Sequence, residues 1–222
     1  MNFGPKWNIS RKNGYKTIKL GDYASRRKAG DSFHKECVLI FDDGYLDNLT
    51  NAAPIMKEYG YIGNMFMAGM YEGWPGYLTW DEEVKLAQYG WELGSHTYIH
   101  KPLPLLSRQE RKADLKKSHD HMLGLYYSPN GVTLSYPNGA YNKEVVEDVK
   151  EAGYAAGVTG LIGTNTEQDG LLTLRRVNVF HHKAKNLEHF KRALYKAQLI
   201  SWVNEKTGYD LNRFLLWYYH KK

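Results

Sequence analysis

Two short segments, far apart in the chain, carry side chains suited to metal-assisted chemistry. Asp42-Asp43-Gly44 follows directly on the apolar run Cys37-Val38-Leu39-Ile40-Phe41, and His96 and His100 follow the run Trp91-Glu92-Leu93-Gly94-Ser95. Asp-Asp-Gly by itself reads as a solvated turn, because both residue types favour turns. A histidine pair by itself is as well explained by surface or core packing. Together they read differently. Histidines at i and i+4 on a helical turn would present both imidazoles on one face, a spacing that suits a single divalent ion. One carboxylate plus two histidines is a facial ligand set that leaves coordination positions open for water and substrate. The neighbouring carboxylate then has a role of its own, as the base that takes a proton from metal-activated water.

Such ligands need a scaffold that ends separate strands at one place. Parallel α/β folds do this, because their sites lie at the C-terminal ends of the strands. Apolar runs bounded by turn residues predict strands over 37–41, 64–68, 91–95, 132–136, 154–158 and 172–180. Between them lie helical patterns. One covers 51–59 and stops at Gly60. Another opens on the capping box Thr79/Glu82 and stops at Gly90, and a third opens on Ser107/Glu110 and runs to about 125. Further helices are expected over 142–152, 187–205 and 210–219. Strand and helix alternating at this spacing predict βα units and a mainly parallel sheet or barrel. No repeat or linker interrupts the pattern, so residues 1–222 are expected to form one domain.

Composition sets the outer limits. The 222 residues are 42% hydrophobic and 24% charged, enough to bury a sizeable core. The net charge of +6 and a pI near 9.1 permit anionic partners. The basic residues are dispersed, however, and Arg26-Arg27-Lys28 and Lys116-Lys117 read as solvated faces. No nucleic-acid motif accompanies them, and no nucleic-acid partner is expected. No window approaches a membrane span. No signal peptide is visible, which leaves the compartment open: extracellular or cell-surface if a leader was trimmed, otherwise cytoplasmic. Cys37 is the single cysteine, expected as a small core residue. His119, His121, His189 and His220 fall on predicted helices and are expected at the surface. Eighteen Tyr and six Trp are many, and their faces suit the C–H faces of sugar rings.

Phe41-Asp42-Asp43-Gly44-Tyr45 and His96-Thr97-Tyr98-Ile99-His100 resemble the first two motifs of the polysaccharide deacetylase family, the NodB-homology domain of carbohydrate esterase family four. Leu134-Ser135-Tyr136-Pro137-Asn138-Gly139 resembles its third motif. Thr79-Trp80 and Trp91-Glu92-Leu93-Gly94-Ser95 add to a likeness that runs over residues 14–194. The resemblance implies an α/β fold, a distorted (β/α) barrel with mainly parallel strands, and hydrolysis of an acetamide on a sugar. By carry-over, Asp42 is the catalytic base. Asp43, His96 and His100 hold one divalent metal, with zinc expected and cobalt or nickel as alternatives. Asn138 and Tyr136 are expected at the substrate, with the backbone N–H of Asn138 facing the tetrahedral oxyanion.

The chain departs from the family pattern in the third motif. Ser135 stands where an arginine is usual, and Asn138 where a tyrosine is usual. Leu174-Arg175-Arg176-Val177 resembles the Leu-Pro-Arg segment of the poly-N-acetylglucosamine deacetylase branch, which makes Arg176 the expected partner of the catalytic aspartate. Strand alternation puts His182 on the face of Arg176, so His182 is the expected acid, with His181 or no acid as alternatives. The implied substrate is an acetylated glycan, a β-linked N-acetylglucosamine polymer or oligomer. The alternatives are O-deacetylation of xylan or another acetylated glycan, and a carbohydrate-binding protein with a degenerate site.

Overall fold

The computed structural model describes residues 14–125, 128–179 and 187–208. It opens with β1 (Lys16–Thr17), α1 (Leu20–Lys28) and β2 (Glu36–Cys37), and β1 and β2 pair in parallel as a small separate sheet. Six further strands form one parallel sheet: β3 (Ile40–Phe41), β4 (Asn64–Met67), β5 (Glu92–Ser95), β6 (Thr133–Ser135), β7 (Ala156–Ile162) and β8 (Leu174–Arg176). Their spatial order is their chain order. Helices α2 (Ala53–Glu58), α3 (Trp80–Gln88), α4 (Arg108–Leu125) and α5 (Lys143–Glu151) lie between successive strands from β3 to β7. Residues 163–173 join β7 to β8 without a helix, and α6 (Leu187–Thr207) follows. When every parallel strand is added beside the last one, all crossovers return on one side and the sheet curls. The result is the distorted (β/α) barrel that the sequence predicted.

Alternate strand residues face the inside of the curl, where they form three levels. The lowest is polar and buried: Asn64, Glu92 and Thr133. Helix α1 closes this end with its N-terminus. The Leu20 N–H donates to Asn64 Oδ1 and the Gly21 N–H to Glu92 Oε2, both at 2.8 Å, while Thr133 Oγ1 donates to Glu92 Oε1 at 2.7 Å. Burial raises the Glu92 pKa, and the donors of Thr133 and Gly21 oppose it. The middle level is apolar: Ile40, Phe66, Val158 and Leu174 pack with Leu20 and Ala24 of α1. Gly94 makes room for Phe66, since a Cβ there would lie 2.6 Å from its ring. The top level, at the C-terminal rim, holds Asp42, His96, Ser135 and Arg176. Outside the sheet, Met65, Met67, Leu93 and Leu134 pack against Leu86, Leu115, Val145 and Val149 of the helices.

Four expectations change. The apolar run 37–41 is not one buried strand. It divides into β2 and β3, which belong to different sheets and are half-buried, so Cys37 is not a core residue, although burial pushes its thiol up to about 11. The strand expected over 172–180 shortens to β8. Helix α1 was not legible, because few of its residues are apolar. Its Arg26 is not merely solvated: it pairs with Glu36 at 2.9 Å and Asp31 at 3.2 Å and lies over Phe33. His121 is not a surface residue: its side chain is 17% exposed and lies 3.3 Å from Glu72. The predicted helix 210–219 and His220 lie outside the described residues. No helix among the described residues is long and apolar enough to cross a membrane.

Candidate active site

The last residue of β3, Phe41, turns outward against Trp91, with ring centroids 4.9 Å apart, so Asp42 turns inward. Asp43 and Gly44 then adopt φ of +74° and +86°, which folds the chain back over the end of the sheet. Gly44 suits this turn, because its φ is one that L side chains rarely adopt.

Across the rim, β5 delivers His96, whose N–H donates to the Met67 carbonyl at 2.6 Å. The histidine pair does not lie on a helical turn, as the i, i+4 spacing suggested. Residues 96–100 form a loop in which Thr97 and His100 have φ of +63° and +53°. Such conformations are strained by about 1–3 kcal/mol each and persist only where the surroundings over-determine them. Here they are held by hydrogen bonds. Asp114 of α4 accepts from the N–H groups of Tyr98 (3.1 Å) and Ile99 (2.9 Å), Ser95 Oγ accepts from Thr97 N (3.0 Å), and Thr97 Oγ1 from His100 N (3.1 Å).

The two loops converge. Asp43 Oδ1 lies 3.4 Å from His96 Nε2 and 3.1 Å from His100 Nε2, and one ligand atom from each of the three residues falls within 4.8 Å of the others. Donors about 2.0–2.2 Å from one ion, at tetrahedral or octahedral angles, lie about 2.8–3.6 Å from one another. The two Asp43 distances fit that range. His96 Nδ1 lies 2.7 Å from the Ser135 carbonyl. A carbonyl only accepts, so Nδ1 carries the proton and Nε2 turns its lone pair to the site. The His100 and His96 imidazoles beside it hold the Asp43 carboxyl well below the usual carboxylate range, so it is ionised. The set fits a divalent cation: one anionic oxygen and two imidazole nitrogens.

Asp42 is held differently. Arg176 Nη1 donates to its Oδ2 at 2.6 Å and reaches Ser135 Oγ at 3.4 Å. Asp42 Oδ1 is buried and has no hydrogen-bond partner among the described residues. Leu174 faces the inside of the curl, so Arg176, two residues on, faces inward as well. The guanidinium thus arrives from β8 where the family motif would supply it from β6. Strands β3 and β8 are the edges of the sheet, and this ion pair bridges them.

Two further expectations fare differently. Tyr136 does not contact a substrate through its side chain: it is fully buried, and its hydroxyl donates to the Leu172 carbonyl at 2.9 Å. Asn138 is exposed on the loop leaving β6, with φ of +56°. His181 and His182 lie outside the described residues. The alternation that favoured His182 has no strand to act through, because β8 ends at Arg176.

Sequence reasoning missed Asp114 and the Ser135 carbonyl. Asp114 could have been found as a carboxylate in the buried stripe of α4, with Arg111, Leu115 and Ser118. It also missed an aromatic group beside the site, in which Tyr45 is pushed up to about 12 by a hydrogen bond with Tyr77 and by burial.

Comparison with known proteins agrees with this arrangement. The sequence profile of the family described as polysaccharide deacetylase matches residues 29–157, which contain Asp42, Asp43, His96, His100 and Ser135. A Bacillus subtilis (strain 168) protein described as a polysaccharide deacetylase, YxkH, is 35% identical over 171 residues, covering 75% of this chain and 60% of the relative. The chain therefore spans about three fifths of that relative's length. The Streptococcus pyogenes deacetylase PplD, solved in complex with acetate, superposes with a TM-score of 0.76 at 23% identity, covering 86% of this chain and 85% of that one. IcaB from Ammonifex degensii superposes with a TM-score of 0.71 at 21% identity, covering 86% of each chain. These solved structures share the fold. By its profile match over more than half its length, and by the curved parallel sheet whose rim gathers the motif residues, the chain belongs to the polysaccharide deacetylase family.

Proposed function

We propose that this chain is a metal-dependent hydrolase that removes N-acetyl groups from a β-linked N-acetylglucosamine polymer or oligomer, of the poly-N-acetylglucosamine, peptidoglycan or chitin type. The observation that carries the reading is the buried Oδ1 of Asp42, without a hydrogen-bond partner among the described residues, beside a three-donor set suited to a cation.

In this reading Asp43, His96 and His100 hold one divalent ion, zinc by preference, since two nitrogens and one oxygen with open positions suit it. When bound, such an ion supplies a Lewis acid that polarises a carbonyl and lowers the pKa of water. The protein's own groups do the rest. Arg176 fixes Asp42 through Oδ2, so that Oδ1 points at the water whose proton it takes. His96 is oriented by the Ser135 carbonyl, and the His100 loop by Asp114. The backbone N–H of Asn138 donates to the oxyanion that develops on the acetyl carbonyl. His182, proposed as the acid that protonates the leaving amine, lies outside the described residues.

Acetate release tests the reading. Purified protein loaded with zinc is expected to release acetate from N-acetylglucosamine oligomers and not from acetylated xylan. Metal analysis is expected to find about one ion per chain, lost in a His96→Ala/His100→Ala double variant. Release from acetylated xylan alone would move the assignment to O-deacetylation. No release from any acetylated glycan, with the ion bound, would mark a binding protein instead.

A further inference from the structure

Beside the donor set lies a group of aromatic side chains that neither the core nor the proposed chemistry uses. Tyr71, Trp74 and Tyr77 stand on the loop between β4 and α3, and Tyr45 faces them from the loop after Asp43-Gly44. Tyr45 and Tyr77 stack with centroids 4.9 Å apart, Tyr71 lies 4.9 Å from Tyr77 and 5.3 Å from Trp74, and the Tyr71 ring meets the imidazole of His100 at 5.6 Å. Trp74 is 51% exposed and Tyr45 44%, whereas Trp91 of the core is 1% exposed. Single exposed aromatics are ordinary, but a contiguous group at the edge of a site marks a binding surface.

Backbone hydrogen bonds fix this surface to both ligand loops. On the histidine side, Gly69 N–H donates to the Thr97 carbonyl (3.2 Å) and Met70 N–H to the Tyr98 carbonyl (2.8 Å). On the aspartate side, Leu46 N–H donates to the Gly76 carbonyl and Leu78 N–H to the Gly44 carbonyl, both at 2.9 Å. Within the loop, Gly73 N–H donates to Leu78 and Tyr77 N–H to Trp74, both at 2.9 Å. The rings are therefore held at a set distance from Asp43 and His100, and little ordering is left to be done on binding. An open hollow of about 550 Å³ is lined by Tyr45, Leu46, Asp47, Thr50 and Gly76.

A pyranose ring has a flat C–H face and a rim of hydroxyls. An aromatic face with a phenol or indole at its edge matches both. We infer that Tyr71, Trp74 and Tyr77, backed by Tyr45, form a stacking subsite for the sugar unit adjoining the one whose acetamide faces Asp43, His96 and His100. This rests on the deacetylase reading of that site and adds what the site measures: the length of the glycan. An oligomer can place its adjoining unit on the aromatic surface and is held there, and the monosaccharide is not.

The test compares N-acetylglucosamine itself with its pentamer, by turnover and by binding. In Trp74→Ala, kcat/KM for the pentamer is expected to fall roughly 3- to 10-fold, with a smaller loss for the monosaccharide, and Trp74→Phe is expected to recover most of it. Calorimetry with the inactive Asp42→Asn protein is expected to show the same loss of pentamer affinity when Trp74→Ala is added. Circular dichroism of Trp74→Ala checks that the fold is kept, and Tyr77→Ala gives a second variant on the same surface. Equal losses for monosaccharide and pentamer, or pentamer affinity untouched by Trp74→Ala and Tyr77→Ala, overturn the subsite. Should the parent release no acetate from any oligomer, the deacetylase reading fails, while pentamer binding weakened by Trp74→Ala still supports the subsite.

Discussion

Arg111–Asp148 and Arg176–Asp42 are the same chemical pair, placed in two regions of the molecule and left with different capacities. The first joins α4 to α5 behind the sheet. Arg111 donates to Asp148 Oδ2 through Nε at 2.7 Å, with Nη2 at 2.6 Å, and Arg108 Nε donates to Oδ1 at 3.1 Å. The Asp148 side chain is 0% exposed, and both of its oxygens are taken. The second pair stands at the rim, where the Asp42 side chain is 26% exposed. There only Oδ2 is taken, and Oδ1 is buried without a partner among the described residues. A carboxylate with both oxygens satisfied can hold helices together but has no lone pair placed to take a proton. One satisfied on a single side is oriented and still basic. Glu83 extends the series: fully buried in α3, neither of its oxygens has a hydrogen-bond partner among the described residues. Burial, with the charge of Glu72, pushes it up to about 9, so it stays protonated at neutral pH.

Five variants can break or sharpen this series. Asp42→Asn removes the free oxygen and keeps the shape. Acetate release is expected to fall by roughly 10²- to 10⁴-fold, with metal content unchanged; an undiminished rate would move the base elsewhere. Arg111→Ala frees Oδ2 of Asp148 and leaves Arg108 on Oδ1, and chemical denaturation is expected to show a loss of about 1.5–3 kcal/mol. Turnover per folded molecule should hardly change; if the two pairs are alike in role, activity will fall with stability instead. Arg176→Ala reverses the pattern, with kcat down roughly 10- to 100-fold. Because this pair is partly exposed, its melting temperature should fall less than that of Arg111→Ala. Arg176→Lys should recover part of the rate by restoring charge, but not all, since a compact ammonium does not reproduce the guanidinium fork.

The smallest effect belongs to Glu83→Gln, and it depends on pH. The folded protein holds the Glu83 proton up to about 9, against an ordinary value of 4.5. Between those values the folded state binds more protons than the unfolded one, so stability falls as pH rises through that window. Glu83→Gln lacks this penalty. Thermal melts are expected to match the parent near pH 4 and to run higher than the parent at pH 8; parallel curves at both pH values would mean that Glu83 is not held protonated.

Much of the candidate site was legible because its parts are local. Asp42-Asp43-Gly44 and the two histidines each follow an apolar run, and strand ends are where parallel folds put their chemistry. The capping boxes Thr79/Glu82 and Ser107/Glu110 both form, with the Thr79 and Ser107 N–H groups donating to their glutamates at 2.9 Å. Helix α1 was not legible, because what holds it lies elsewhere in the chain: Asn64 and Glu92 receive its N-terminal N–H groups. The shape of the His96–His100 loop escaped for the same reason. Two of its residues adopt left-handed conformations, stabilised in part by Asp114 of another element. Tyr136 shows the converse, a motif residue whose side chain the core claimed.

Residue order alone thus determined the α/β alternation, the level of the rim and the three donors that a cation would need. Only the tertiary structure decided which side chains meet there. The curl of the sheet brings β8 round to β3, so that Arg176 reaches Asp42 across 134 positions of sequence, and tertiary packing sets Tyr71 beside His100 with Trp74 and Tyr77 against Tyr71. Local order fixes which way a side chain points along its own strand. How far the sheet closes depends on packing summed over all its strands and helices, and no single segment carries that sum.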